Sequence, residues 1–307
     1  MTGNSILEDF KNAWDKPNNA VAQLILINLI VFLSMMVMRV FLVIGGGDDL
    51  YSMVISKLML PAHVGTFLFQ PWSIITYFFL HEGFFHILFN MLFLYWFGKL
   101  IAEFLGSQKV IALYVLGGLS GGLFYMLMYN AIPFYQDRID VSLMMGASAG
   151  VYAIVAGAAT FMPNYTFFLM FVGPVKIKYI AIFYVILSFS QTIGSNAGGE
   201  LAHLAGAALG YFYIMQLKKG NDMGSWVIGT MDFFKSFFVR QPKIKVTHRG
   251  DKKRSSTKTA STSATASKSA NIANQDEIDA ILDKISNSGY ESLTKDEKEK
   301  LFNASKK

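Results

Sequence analysis

Six apolar stretches divide the first 217 residues of this chain, over residues 22–44, 72–97, 110–129, 142–162, 175–193 and 201–217. A spanning helix needs about 20 mostly apolar residues. In lipid, each segment must satisfy its own backbone N–H and C=O groups. The pattern predicts an all-α polytopic membrane protein, a bundle of six transmembrane helices. Composition agrees, with 53% of residues hydrophobic and 16% charged, which is apolar for a soluble chain. There is no cysteine, so disulfides and thiolate chemistry are excluded. Residues 1–20 are polar and no small-residue cleavage site follows a short apolar run, so no cleaved leader is expected.

Lys and Arg near the segment ends set the orientation. With a cytoplasmic N-terminus, the inner connections carry Lys11, Lys16, Lys99, Lys109, Lys176, Lys178, Lys218 and Lys219. The outer ones carry Lys57 and Arg138, with Arg39 near the outer end of the first span. Both termini are therefore expected in the cytoplasm. The outer loop over 45–71 contains VISKLMLPAHVGTFLF, apolar enough to lie partly in the membrane interface.

The chain then divides into a cytoplasmic segment, 1–21, and a membrane core, 22–217. An interfacial and basic juxtamembrane segment, 218–254, is followed by a disordered linker, 255–270, and a small helical hairpin, 271–307. Residues 1–217 hold 9 Lys+Arg and 10 Asp+Glu, whereas 218–307 hold 18 and 11, so the basic excess sits beside the membrane. Residues 224–238, GSWVIGTMDFFKSFF, are too short to span and read as an interfacial amphipathic helix. The basic stretch after it favours anionic lipid over nucleic acid. In the hairpin, Ile278, Ile281, Leu282 and Ile285 share a face, Gly289 is a stop, and Thr294 with Glu297 matches a capping box.

Polar groups inside spans are costly and each is a functional candidate. The second span brings His81, Glu82, His86 and Asn90, the fourth Ser148 and Tyr152, and the sixth His203. A serine in a membrane helix ordinarily bonds back to its own helix, and an asparagine can simply hold two helices together. Here three helices contribute polar groups to one layer in the outer half of the membrane, with Ser148 expected about two turns inside its span and His203 in the first turn of its own. That convergence points to nucleophilic chemistry. A neutral imidazole, His203, can take the Ser148 proton. His86, the Asn90 amide and the Ser148 backbone N–H can stabilise an oxyanion. Gly146 lets a substrate backbone approach, and Tyr152 can pack on the imidazole. Glu200 lies three residues before His203, but the expected unit is a Ser–His dyad without an acid. No cofactor or metal enters this scheme.

These residues also carry a family resemblance over roughly residues 22–217. HEGFFHILFN resembles the HxxxN segment of rhomboid intramembrane serine proteases, here His86 and Asn90. Gly98 and Glu103 in GKLIAEFLG resemble the motif that closes that span, and GASAGVY resembles the GxS nucleophile motif. AHLAGAALG resembles the AHxxGxxxG motif of the last span, with Gly206 and Gly210 packing His203 close to the serine helix. The resemblance implies a serine endopeptidase that cuts transmembrane segments of other membrane proteins near the outer face. An inactive relative that binds membrane proteins is the alternative. The residue after the serine, often glycine in that family, is Ala149 here and is expected to add a methyl beside the oxyanion site. Composition and the polar N-terminus fit a bacterial inner membrane.

Overall fold

The structure, a computed structural model, describes residues 14, 16, 19–169, 172–238 and 270–304. Residues 1–13 of the polar N-terminal segment, most of the basic stretch and nearly all of the linker lie outside the described residues. The chain forms two units, Met1–Pro242 and Lys243–Lys307.

The first unit is mostly helical. In chain order it comprises α1 (Ala20–Ile44), α2 (Asp48–Leu58), β1 (Leu60–Pro61), α3 (Phe84–Leu105), α4 (Ser107–Ala131), β2 (Leu143–Met144), α5 (Ser148–Phe161), β3 (Thr166–Leu169), β4 (Gly173–Lys176), α6 (Ile177–Ser190), α7 (Ala197–Lys218) and α8 (Ser225–Phe238), with single turns between some of them. Among the described residues, α1, α3 and α4 are long and apolar enough to cross a membrane. Helices α5 and α6 are apolar but only 14 residues each. Helix α7 has 22 residues, but its many small residues and Glu200 lower its hydropathy. The chain is a membrane protein, as these apolar helices indicate.

The elements depart from the hydropathy pattern where backbone conformation intervenes. The second apolar stretch is not one helix. A turn at Ser73–Thr76 and a 3₁₀ turn at Tyr77–Phe79 end at Leu80, and α3 starts only after Gly83, which is extended at φ −158°. His81 therefore sits before the helix. The fourth stretch likewise does not run as helix from residue 142. Leu143 and Met144 pair antiparallel with Pro61 and Leu60, and Gly146 at φ +136° breaks the chain direction. A positive φ there suits glycine and little else. Ser148 is thus the first residue of α5, not two turns inside it. The fifth stretch starts as the hairpin β3–β4, paired Thr166↔Lys176 through Leu169↔Gly173, before α6 begins. Helix α7 begins four residues earlier than hydropathy suggests, which puts His203 in its second turn.

Loop 45–71 is largely α2, β1 and a turn at Val64–Leu68. Trp72 Nε1 donates to Lys57 O at 2.8 Å, and Thr76 Oγ1 to Leu58 O at 2.6 Å. Asn130 Nδ2 donates to Ala62 O at 2.8 Å. Loop 45–71 is thereby tied to the turn that leads into α3 and to the end of α4.

Small residues set the core. A Cβ added to Gly117 or Gly121 of α4 would lie 2.5 Å from the Cβ of Ala153 or Ala149 on α5. A Cβ added to Gly206 or Gly210 of α7 would lie 2.1 Å from the carbonyl oxygen of Ala149 or Ala153. Helix α5 is therefore held between two glycine faces, at backbone contact with α7. Helix α1 is peripheral, and its buried Asn28 bonds the Tyr114 hydroxyl of α4 at 3.0 Å. Where the chain enters α8, Asp222 pairs with Lys109 and accepts from the Tyr213 hydroxyl at 3.0 Å. Partial burial pushes the Asp222 pKa up, but these donors outweigh it and hold it below the usual aspartate value.

The second unit holds α9 (Ala270–Ser288) and α10 (Lys295–Ala304), joined through Gly289 at φ +75°. The capping box forms: Thr294 N–H donates to Glu297 Oε2 at 2.8 Å, and Glu297 N–H to Thr294 Oγ1 at 3.3 Å. Lys284 bridges the two helices to Glu297 at 2.9 Å. Ile281 is buried, whereas Leu282, expected on the same face, is exposed.

Candidate active site

Gly146 shapes the first wall. Its N–H donates to Tyr77 O at 3.0 Å, and its backbone turns the chain so that α5 begins at Ser148. The first N–H groups of a helix have no intrahelical acceptor, so the Ser148 amide is available to a ligand. A Cβ at residue 146 would also lie 3.0 Å from His86 Nε2, a tight contact that would press on the imidazole.

Helix α7 supplies the partner. His203 Nε2 and Ser148 Oγ are 2.7 Å apart, a hydrogen bond between residues 55 positions apart in sequence. One turn along α5, the Tyr152 ring stacks on the imidazole with centroids 4.3 Å apart and planes 9° from parallel. The other ring nitrogen, His203 Nδ1, lies 3.1 Å from Glu200 Oε2 and 3.2 Å from Ser188 Oγ. Ser188, on α6, also donates to the Tyr152 hydroxyl at 2.9 Å. The expectation of an isolated pair is therefore incomplete: a carboxylate stands behind the imidazole.

A cavity of about 920 Å³ opens over this pair, with His86, Asn90, Ser148, Tyr152 and His203 in its lining. Asn90 donates one N–H to His86 O of its own helix at 2.9 Å, leaving its second N–H uncommitted. His81 is buried against His86, ring centroids 5.1 Å apart. Gly206 and Gly210 do not line the cavity; they set the α5–α7 spacing. Sequence reading missed Ser188, and it weighed Glu200 but set it aside in favour of a dyad. For Glu200 the signal was present, since residues three apart share a helix face. For Ser188 there was none, because its place beside His203 depends on how α6 packs.

A serine hydroxyl bonded to an imidazole, with free amide donors nearby, can be acylated and can stabilise a tetrahedral oxyanion. Residues 68–219 match the Rhomboid domain family.

The chain belongs to the rhomboid family.

It is 31% identical over 159 residues to RHOMBOID-like protein 12, mitochondrial, of Arabidopsis thaliana, covering 48% of this chain and 47% of the relative. It is 27% identical over 164 residues to Rhomboid-like protease 3 of Toxoplasma gondii, covering 52% and 56%. With Rhomboid protein 1, mitochondrial, of Saccharomyces cerevisiae, identity is 29% over 156 residues, covering 48% and 42%. The chain thus spans about half the length of the curated relatives it matches. Two of these names are mitochondrial, so the bacterial membrane expected from composition finds no support in them. Residues 268–307 match a family of unknown function (DUF6576).

Within the rhomboid domain, the Ala149 methyl does not face the cavity. Ala149 is buried and absent from the cavity lining, and its methyl faces Gly121 of α4. Ala149→Gly should therefore leave the rate of a serine-directed probe within about twofold of wild type. It should cost about 1 kcal/mol of stability, as glycine replaces alanine inside a helix. Probe labelling and thermal unfolding in detergent check the two halves.

Proposed function

We propose that this rhomboid is a six-span intramembrane serine endopeptidase that cuts transmembrane segments of other membrane proteins near the outer face. The observation that carries this reading is the 2.7 Å contact between His203 Nε2 and Ser148 Oγ at the wall of a large cavity. The printed name of one relative, Rhomboid-like protease 3, agrees with it. The six spans are α1 and α3 to α7. At 1.5 Å per residue the 14-residue helices α5 and α6 rise only about 21 Å. The segment before Ser148 and the β3–β4 hairpin complete their crossings.

In the reaction, Ser148 Oγ attacks the scissile carbonyl as His203 Nε2 takes its proton. A C–O bond forms and the carbonyl electrons move to oxygen. The uncommitted Asn90 N–H, the His86 ring N–H and the Ser148 amide receive that charge. Collapse breaks the C–N bond, and the amine leaves with the proton from His203. Water, activated by the same imidazole, then releases the acyl group. A helical substrate hides its carbonyls in its own hydrogen bonds, so segments rich in Gly or other weak helix formers are preferred. Lys218, Lys219 and the basic residues after α8 favour anionic lipid.

The test uses the full chain in lipid bilayers with a panel of transmembrane segments that differ in Gly content at the outer end. Cleavage mapped by mass spectrometry to the outer half, with a fluorophosphonate adduct on the Ser148 peptide, is the expected result. Folded protein that binds the segments but gives neither cleavage nor adduct would replace this reading with a non-catalytic binding role.

A further inference from the structure

We propose that Glu200 is a positioning residue for His203, so that the pair proposed above works as a Ser148–His203–Glu200 relay of hydrogen bonds. The proposal rests on the protease reading for its kinetic consequence, but the pairing itself has an independent signature.

Three side chains besides Ser148 hold the imidazole. Glu200 is one helical turn before His203 on α7, and its Oε2 is 3.1 Å from Nδ1. The carboxylate is buried, and an unpartnered buried carboxylate would be costly. Ser188, fully buried on α6, reaches Nδ1 at 3.2 Å and the Tyr152 hydroxyl at 2.9 Å. Tyr152 closes the ring by stacking flat on the imidazole. The ring is thus fixed in plane by Tyr152 and in rotation by Glu200 and Ser188.

An ionised carboxylate can only accept hydrogen bonds, so it selects the tautomer with the proton on Nδ1. That leaves the Nε2 lone pair facing Ser148 Oγ. When Nε2 takes the serine proton, the ring becomes an imidazolium next to the Glu200 negative charge. The carboxylate stays ionised throughout and no proton passes to it. The wrong tautomer would place N–H against the hydroxyl and leave no base.

A carboxylate in the first turn of α7 also suits the positive end of the helix dipole. That simpler role predicts lost stability and an unchanged rate, so the two are separable. The experiment measures kinact and KI of a fluorophosphonate probe for the full chain in detergent micelles, with Glu200→Gln, Glu200→Asp and Ser188→Ala. A companion ¹H–¹⁵N spectrum with labelled histidine reads the Nδ1–H proton. Glu200→Gln should lower kinact, by up to about 10⁴-fold, with KI unchanged, by comparison with loss of an orienting carboxylate in serine hydrolases. Glu200→Asp should recover part of that loss, and Ser188→Ala should cost less than Glu200→Gln. The far-downfield Nδ1–H resonance of wild type should move upfield in Glu200→Gln. Wild-type kinact and an unmoved resonance in Glu200→Gln, whatever its melting temperature, would overturn the proposal while leaving the protease reading intact. A resonance that moves in a wild-type background inert to the probe would keep the pairing and remove the protease reading instead.

Discussion

Ser148→Ala is expected to abolish turnover, lowering it roughly 10⁴- to 10⁶-fold, and His203→Ala should come within about tenfold of the same value. The reason is that neither group is reactive alone. A hydroxyl is a weak nucleophile until its proton has somewhere to go, and the acceptor at 2.7 Å is His203 Nε2. Once either member is gone, the other has nothing to act on. The double variant should therefore be no slower than the worse single one. The measurement is cleavage of one segment from the transmembrane panel by the four proteins at equal folded concentration. Losses that multiply would show that the two side chains serve separate steps and would sink the shared-proton account. Ser148→Ala removes only a hydroxyl that faces the cavity, so its melting temperature should change little, whereas His203→Ala also takes the imidazole away from buried Glu200 and is compared at equal folded concentration for that reason.

Much of that pair was legible in the sequence. Apolar runs located the spanning material because lipid forces backbone bonding within each segment. His86, Asn90, Ser148 and His203 stood out because polar groups at membrane depth need a reason. The cavity brings those four together with Tyr152. What hydropathy could not locate was backbone conformation. Gly146 looks like any small residue in an apolar run, yet its φ of +136° and the β1–β2 pair start α5 at Ser148 itself. The same blindness made one helix of residues 72–97, where Leu80 to Gly83 interrupt it, and hid the hairpin before α6. Ala149 was misplaced for a related reason. A one-dimensional pattern says that it follows the serine, not that helix geometry turns its methyl to Gly121. Ser188 needed the packing of α6 before it could be placed near His203 at all.

The tightest requirement in the domain is the backbone contact between α5 and α7, and Gly206→Ala is the change expected to break it. The added Cβ would lie 2.1 Å from the Ala149 carbonyl oxygen. That neighbour is backbone in the first turn of a packed helix, so it has no rotamer to escape into. Restoring an ordinary contact of about 3.5 Å would move the helices apart by roughly 1 Å or more. His203 sits one turn before Gly206 on α7, and Ser148 is the residue next to Ala149 on α5. The separation therefore opens the 2.7 Å hydrogen bond to a distance beyond hydrogen-bonding range. A misplacement of that size costs about 100-fold or more in rate, and the overpacked interface about 1–3 kcal/mol in stability. Gly157→Ala on α5 is the control. There a new Cβ would meet Ile214 and Leu113 side chains at 3.4 Å, an ordinary contact, and alanine is the better helix former. Gly157→Ala should keep its activity and melt no lower than wild type. Equal behaviour of the two variants in probe labelling and thermal unfolding would mean that the α5–α7 interface yields easily. The hydrogen bond would then owe its length to something other than the glycine face.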